Sequence, residues 1–169
     1  DLTKLAAEIC STPIALVSLV DSDRQWFKSH HGLDVRETPR DIAFCSHAIL
    51  SDEIFVIEDS SKDKRFFDNP LTTGEPHVTF YAGAPLIMSD NVRLGTLCVI
   101  GPEARSMSDG ERLALSALAR QVVSQLELRS KVQELKILDQ AKDEFISMVS
   151  HELRTPLTAI QGSLSLVMN

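Results

Sequence analysis

"VTFYAGAPLIMSDNVRLGTLCVIG" (residues 78–101) decides the fold. Two apolar runs rich in aromatic and β-branched residues flank "SDNV", whose Ser, Asp and Asn suit a tight reversal, so the stretch predicts strand–turn–strand. The same design precedes it. "PIALVSLVD" (13–21) is broken by "DSD" (21–23), and "RQWFKSHHGL" (24–33) resumes in an extended style, which predicts a first hairpin. "EIFVIED" (53–59) is a further short strand, and helical patterns fill "LTKLAAEIC" (2–10) and "DIAFCSHAIL" (41–50). "SSKDKRFFDNPLTTGEP" (60–76) is polar and rich in Pro and Gly, so a long surface loop is expected. Antiparallel strands interspersed with helices define an α+β domain.

Composition narrows the function classes. Hydrophobic residues make up 43% of the 169, enough for a core and against wholesale disorder. Seventeen basic against 24 acidic residues, net −7, exclude a general nucleic-acid binder, which needs a basic excess or stripe. Cys10, Cys45 and Cys98 are odd in number and widely spaced, with no Cys/His ligand spacing. Neither a disulfide framework nor a metal site is expected, and a reducing, cytoplasmic setting is. No apolar run approaches ~20 residues, so no spanning helix is expected here. The abrupt start, without an initiator methionine, reads as a cut from a longer protein, whose other segments would decide any membrane attachment.

From Ser108 the periodicity changes. "SDGE" (108–111) is a capping box, with Ser108 as N-cap and Glu111 three residues on. Leu115, Leu118, Val122 and Gln125 step by three and four, as do Leu128, Val132 and Leu135, then Leu138, Ala141, Phe145 and Met148. Steps of three between Leu135, Leu138 and Ala141 read as a phase shift in a heptad pattern. Beyond the first turns the apolar stripe is too narrow for a globular core, so a parallel coiled coil with a second copy is expected.

The periodicity continues through Phe145, Val149, Leu153, Leu157 and Ile160, one face of a helix. At ~100° per residue, His151 projects away from Val149 and Leu153, with Thr155 one turn later on its side and Glu152 next to it. A neutral imidazole is a nucleophile near pH 7, and a nearby carboxylate can orient one ring nitrogen and take its proton while the other attacks.

The string "FISMVSHELRTPLTAIQG" (145–162) resembles the H-box of sensor histidine kinases, at the first helix of their dimerisation and phosphoacceptor domain. The resemblance implies that His151 is phosphorylated from ATP, that Glu152 is its acid/base partner, and that Thr155 positions water in the reverse, phosphatase reaction on a receiver domain. It further implies that Pro156 bends the helix. The partners implied are a second copy, a response regulator receiver domain and the kinase's own ATP-binding domain, with ATP and Mg2+ as cofactors of the full-length protein. No glycine-rich phosphate cradle occurs in the sequence, so these residues alone are expected to be inactive as a kinase.

"FCSHAI", "FYAGAPL" and "LGTLCVI", in that order and spacing, resemble GAF sensor domains placed ahead of histidine kinase cores. This implies residues 1–125 as a GAF domain, 108–143 as a signalling helix overlapping its end, and 144–169 as the first phosphoacceptor helix. An antiparallel sheet with helices on one face, and on the other a cavity roofed by loops, is implied. The ligand is not identifiable; Trp26, Cys45, His47, Arg65 and Tyr81 are the candidate lining residues, with packing in the core as their alternative. The context of Cys45 argues against a covalent bilin, and buried structural roles are expected for Cys45 and His47. Of the pair His30–His31, alternation sends one inward and one out. A GAF domain that only dimerises is one alternative function. Free methionine sulfoxide reductase is another; it needs two cysteines within reach, and the placement of Cys10 in a helix and Cys98 in a core strand counts against it.

Overall fold

The computed structural model describes residues 2–167, and the side chains of residues 2–154. The chain divides into two units, Asp1–Leu126 and Glu127–Asn169. In the first, α1 (Leu2–Ile9) leads into β1 (Ile14–Val20), β2 (Arg24–His31) and β3 (Glu37–Pro39). Next come α2 (Cys45–Ala48), β4 (Phe55–Ile57), α3 (Pro70–Thr73), β5 (Phe80–Ile87), β6 (Arg93–Gly101) and the start of α4 (Asp109–Val167). The six strands form one antiparallel sheet in the order β3-β2-β1-β6-β5-β4.

Both predicted hairpins are present, and β1 and β6 pair at the centre of the sheet. Close approach there requires glycine: a Cβ on Gly95 would run into the carbonyl oxygen of Ser18 on β1. Strand β2 carries a bulge, since Phe27 pairs with Ser18 while Ser29 pairs with Val17, which leaves Lys28 unpaired. The bulge lets Phe27 pack on one face of the sheet while Ser29 meets Thr3 of α1 on the other, 3.0 Å between hydroxyls. His30 is exposed and His31 half-buried.

The alternation of β1, β5 and β6 builds a core on each face. Ala15, Val17, Phe80, Ala82, Leu97 and Val99 pack with Ala6 and Ala7 of α1 and with Leu115, Leu118, Ala119 and Val122 of α4. Leu16, Tyr81, Cys98 and Ile100 face Phe44, Cys45 and Ala48 around α2, together with Phe66 from the following loop.

Several expectations shift. Cys10 lies in the turn that closes α1, not within the helix. The surface loop of residues 60–76 holds a 3-10 turn (Ser60–Lys62) and α3, and Phe66 from it is almost wholly buried, because one aromatic side chain can seal the core while its polar neighbours stay wet. Gln125 is exposed, and the half-buried seam passes to Val123 and Leu126.

The capping box forms as the spacing predicts. Ser108 donates its backbone N–H and its hydroxyl to Glu111 Oε2 (2.8 and 2.7 Å), and the Glu111 N–H donates to Ser108 Oγ at 3.3 Å. Arg105 pairs with the other carboxylate oxygen, donates Nη1 to the Cys10 carbonyl at 2.6 Å, and lies over the Phe80 ring. Burial pushes the Glu111 carboxyl up, but donation from Ser108 and Arg105 outweighs it and holds the group below its ordinary value. A Glu111→Gln variant is expected to lose about 1–2 kcal/mol in urea denaturation at pH 7. Because the folded-state pKa is depressed, this contribution is present above about pH 4.3, the unfolded value, and is lost as pH falls through the folded one. The two proteins should therefore converge in strong acid.

In the second unit α4 is helical throughout, and the phase shift at Leu135–Ala141 does not interrupt it. Leu128, Val132, Leu135, Leu138 and Phe145 are exposed, with Leu135 65% accessible.

Candidate functional site

Two places hold the candidate residues. The first is the sheet face under α2. Cys45 opens this helix and is buried, its sulfur accepting hydrogen bonds from the Tyr81 hydroxyl at 3.3 Å and the Thr96 hydroxyl at 3.2 Å. Cys98, on β6, brings its sulfur to 3.9 Å. Tyr81 reaches across because Gly83, two residues along β5 and opposite Cys98, has no side chain; a Cβ there would collide with the phenol oxygen. Nearby, the buried Ser18 hydroxyl donates to Gln25 Oε1 at 3.1 Å, and Gln25 Nε2 donates to the Thr38 hydroxyl at 2.6 Å. Polar groups are thus satisfied inside an otherwise apolar layer.

Aromatic rings close this layer. Phe44 stacks on Phe66 with centroids 4.2 Å apart and lies 5.3 Å from Tyr81. His47 meets the edge of Phe66 at 4.9 Å, and Arg65 lies 4.9 Å above Phe55, its guanidinium clamped on both oxygens of Asp63. The structure therefore gathers Cys45, His47, Arg65 and Tyr81, but not Trp26. Trp26 points outward from β2, 39% exposed, beneath the Lys28 ammonium, because alternation around the buried Gln25 and Phe27 turns it to solvent. On the face where the resemblance implies a loop-roofed cavity, Phe44, Phe66 and Tyr81 pack against one another. His47 is half-buried rather than buried. Beside it, Ser22, Asp23, Pro39, Arg40, Asp41 and Ser46 line an open polar cleft that the sequence reading did not single out. Its residues are common surface types from three separated segments, the β1–β2 turn, the end of β3 with the bend after it, and α2, and no local pattern joins them.

Burial, then the positive charge of Arg65, lowers the His47 pKa, against a smaller opposing effect of Asp63. The unfolded state therefore binds the proton more readily, so stability is complete above about pH 6.5 and declines as pH falls through the folded value. Urea midpoints measured from pH 7.5 to 5 should fall for the wild type, and less steeply for His47→Gln. Gly83→Ala, which forces the Tyr81 hydroxyl away from Cys45, should cost about 1–3 kcal/mol in the same assay.

The second place is His151 on α4. Its imidazole is 79% accessible, and Nδ1 lies 3.6 Å from Glu152 Oε1, so the outward projection and the acidic neighbour both follow the helical phase. The side chain of Thr155 and any bend at Pro156 lie outside the described side chains; the helix itself continues to Val167. Among the described residues no helix is long and apolar enough to cross a membrane.

A six-stranded antiparallel sheet with α1 and α4 on one face and α2 with loops on the other is the GAF fold. The GAF domain family profile matches residues 1–126 and that of the His Kinase A (phospho-acceptor) domain residues 141–169, so the chain belongs to the GAF family and runs into a histidine kinase phosphoacceptor segment. It is 43% identical over 127 residues to a cyclic di-GMP phosphodiesterase of Pseudomonas aeruginosa, covering 75% of this chain and 22% of that protein. To the sensor histidine kinase TmoS of Ectopseudomonas mendocina it is 39% identical over 66 residues, covering 39% of this chain and 6% of the kinase. The chain thus spans less than a quarter of either relative. Among solved structures, the GAF domain of an Acinetobacter phosphoenolpyruvate-protein phosphotransferase superposes with a TM-score of 0.63 at 18% identity, covering 79% of this chain and 82% of that one. A free methionine-R-sulfoxide reductase from Neisseria meningitidis gives 0.62, also at 18%, covering 77% and 76%. At such identities the likeness concerns the fold alone.

Proposed function

We propose that the chain is the input and phosphoacceptor portion of a sensor histidine kinase, in which the GAF domain controls ATP-dependent phosphorylation of His151. The observation that carries this reading is the exposed His151 with the Glu152 carboxylate beside Nδ1, within a match to the phosphoacceptor family. With Glu152 at Nδ1, attack falls to Nε2. Its lone pair forms the N–P bond to the γ-phosphorus, the P–O bond to ADP breaks, and the Nδ1 proton passes to Glu152. ATP with Mg2+ is delivered by an ATP-binding domain, a receiver domain then takes the phosphoryl group, and Thr155 places water for the reverse reaction. The setting proposed is cytoplasmic.

Input would reach His151 through α4. Its first turns belong to the GAF core, and its exposed seam at Leu128, Val132, Leu135 and Leu138 suits a parallel pairing with a second copy. A shift between two packings of that pair would change access to His151. A second reading is favoured by one observation: Phe44, Phe66 and Tyr81 pack into a core cluster on the α2 face, which suits a GAF domain that dimerises without binding a ligand. The methionine sulfoxide reductase reading gains the proximity of Cys45 and Cys98, 3.9 Å between sulfurs, but both are buried.

Incubation with labelled ATP and a separately supplied ATP-binding domain should place acid-labile phosphate on the chain. His151→Gln should abolish it, and unchanged labelling of that variant would overturn the assignment. Glu152→Gln should slow labelling by about 10²–10⁴-fold. In sedimentation equilibrium the chain should be a dimer, and Val132→Asp combined with Leu135→Asp a monomer.

A further inference from the structure

We infer that Cys45 and Cys98 form an oxidant-sensitive dithiol, in which the Cys45 sulfur attacks a peroxide and Cys98 resolves the product to an intradomain disulfide. The geometry is specific to this pair. The sulfurs are 3.9 Å apart, although 53 residues separate them in the chain, and both are unbridged thiols. A disulfide needs about 2.05 Å, so closure asks for an approach of about 1.9 Å. One partner sits at the start of the four-residue helix α2, flanked by loops, and the other on the central strand β6, so α2 is the element able to yield. Cys10 lies beyond the opposite face of the sheet, packed with α1.

The two sulfurs have unequal surroundings, and this assigns their roles. Hydroxyls of Tyr81 and Thr96 both point at Cys45 Sγ, the arrangement that stabilises a thiolate. Hydrogen bonding from Cys98, opposed by burial and reinforced by Thr96 and Tyr81, draws the Cys45 thiol down to about 6. The contact with Cys45, then burial and the charge on that sulfur, push Cys98 well above its ordinary value. Ser46, next in the chain to Cys45, lines the open polar cleft with Asp23, Arg40 and Asp41, while Cys45 and Cys98 are themselves buried, so peroxide reaches the attacking sulfur only as α2 yields.

The chemistry balances with hydrogen peroxide as the oxidant. The Cys45 thiolate attacks one peroxide oxygen, the O–O bond breaks, and the leaving hydroxide takes a proton to become water, giving the sulfenic acid. The Cys98 sulfur then attacks the sulfenic sulfur, the S–O bond breaks, and the departing hydroxide takes the Cys98 proton. Overall, two thiols and one peroxide give one disulfide and two waters. Cys98 is set between Leu97 and Val99, which pack against α4, so the bridge would join the α2 layer to the strand that supports α4. The inference does not depend on His151 being phosphorylated.

The test treats the purified 169-residue chain with hydrogen peroxide, followed by denaturation, thiol counting and non-reducing peptide mapping. Expected are a fall from three titratable thiols to one, a linked peptide containing Cys45 and Cys98, reversal by dithiothreitol, and an unmodified Cys10. A Cys98→Ala variant should arrest at Cys45 sulfenic acid, trapped by dimedone, and Thr96→Val should lose thiols several-fold more slowly. Three thiols surviving conditions that fully oxidise glutathione, or a bridge through Cys10 or between chains, would overturn the inference. An unchanged rate in Thr96→Val would overturn Cys45 as the attacking sulfur.

Discussion

Strand β6 is shared by two cores, and the rest of the domain is arranged around that sharing. Leu97 and Val99 point to one face and support α1 and the first turns of α4, while Cys98 and Ile100 point to the other and support α2 and the loops. Because consecutive side chains on a strand must take opposite sides, neither layer can repack without disturbing the strand that holds the other. Its central place, hydrogen-bonded to β1 and β5 along most of its length, holds it on both edges.

A clasp on the helix side complements it. Arg105 ties the end of α1, the ring of Phe80 and the capping carboxylate of Glu111 into one set of contacts, so the start of α4 is fixed to the sheet. Further along, among the described side chains of α4, Leu128, Val132, Leu135, Leu138, Phe145 and Leu153 stand open to water. Exposed leucines at helical spacing cost free energy unless something covers them.

The α2 face combines polar satisfaction with aromatic closure. Glycine at position 83 makes room for Tyr81, Tyr81 and Thr96 direct hydroxyls at one sulfur, and Phe44 and Phe66 seal the top. Cys45 thus belongs to the short helix that covers this face of the sheet. A movement of α2 large enough to admit a ligand would also disturb the contact of Cys45 with Cys98.

Much of this was legible in the sequence alone. Period-two apolar runs and turn residues marked both hairpins, the SDGE box marked the start of α4, and helical phase placed His151 outward beside Glu152, because each rests on neighbours within a few residues. What spans long separations was not. The bulge at Lys28, the burial of Phe66 in a polar loop, the outward turn of Trp26 and the meeting of Cys45 with Cys98 all depend on which strands pair and in what register. Local sequence determined the elements and the place of His151 beside Glu152 on α4. Only the tertiary structure decided which side chains fill the α2 face, because pairing in the sheet, not spacing in the chain, sets what touches across it.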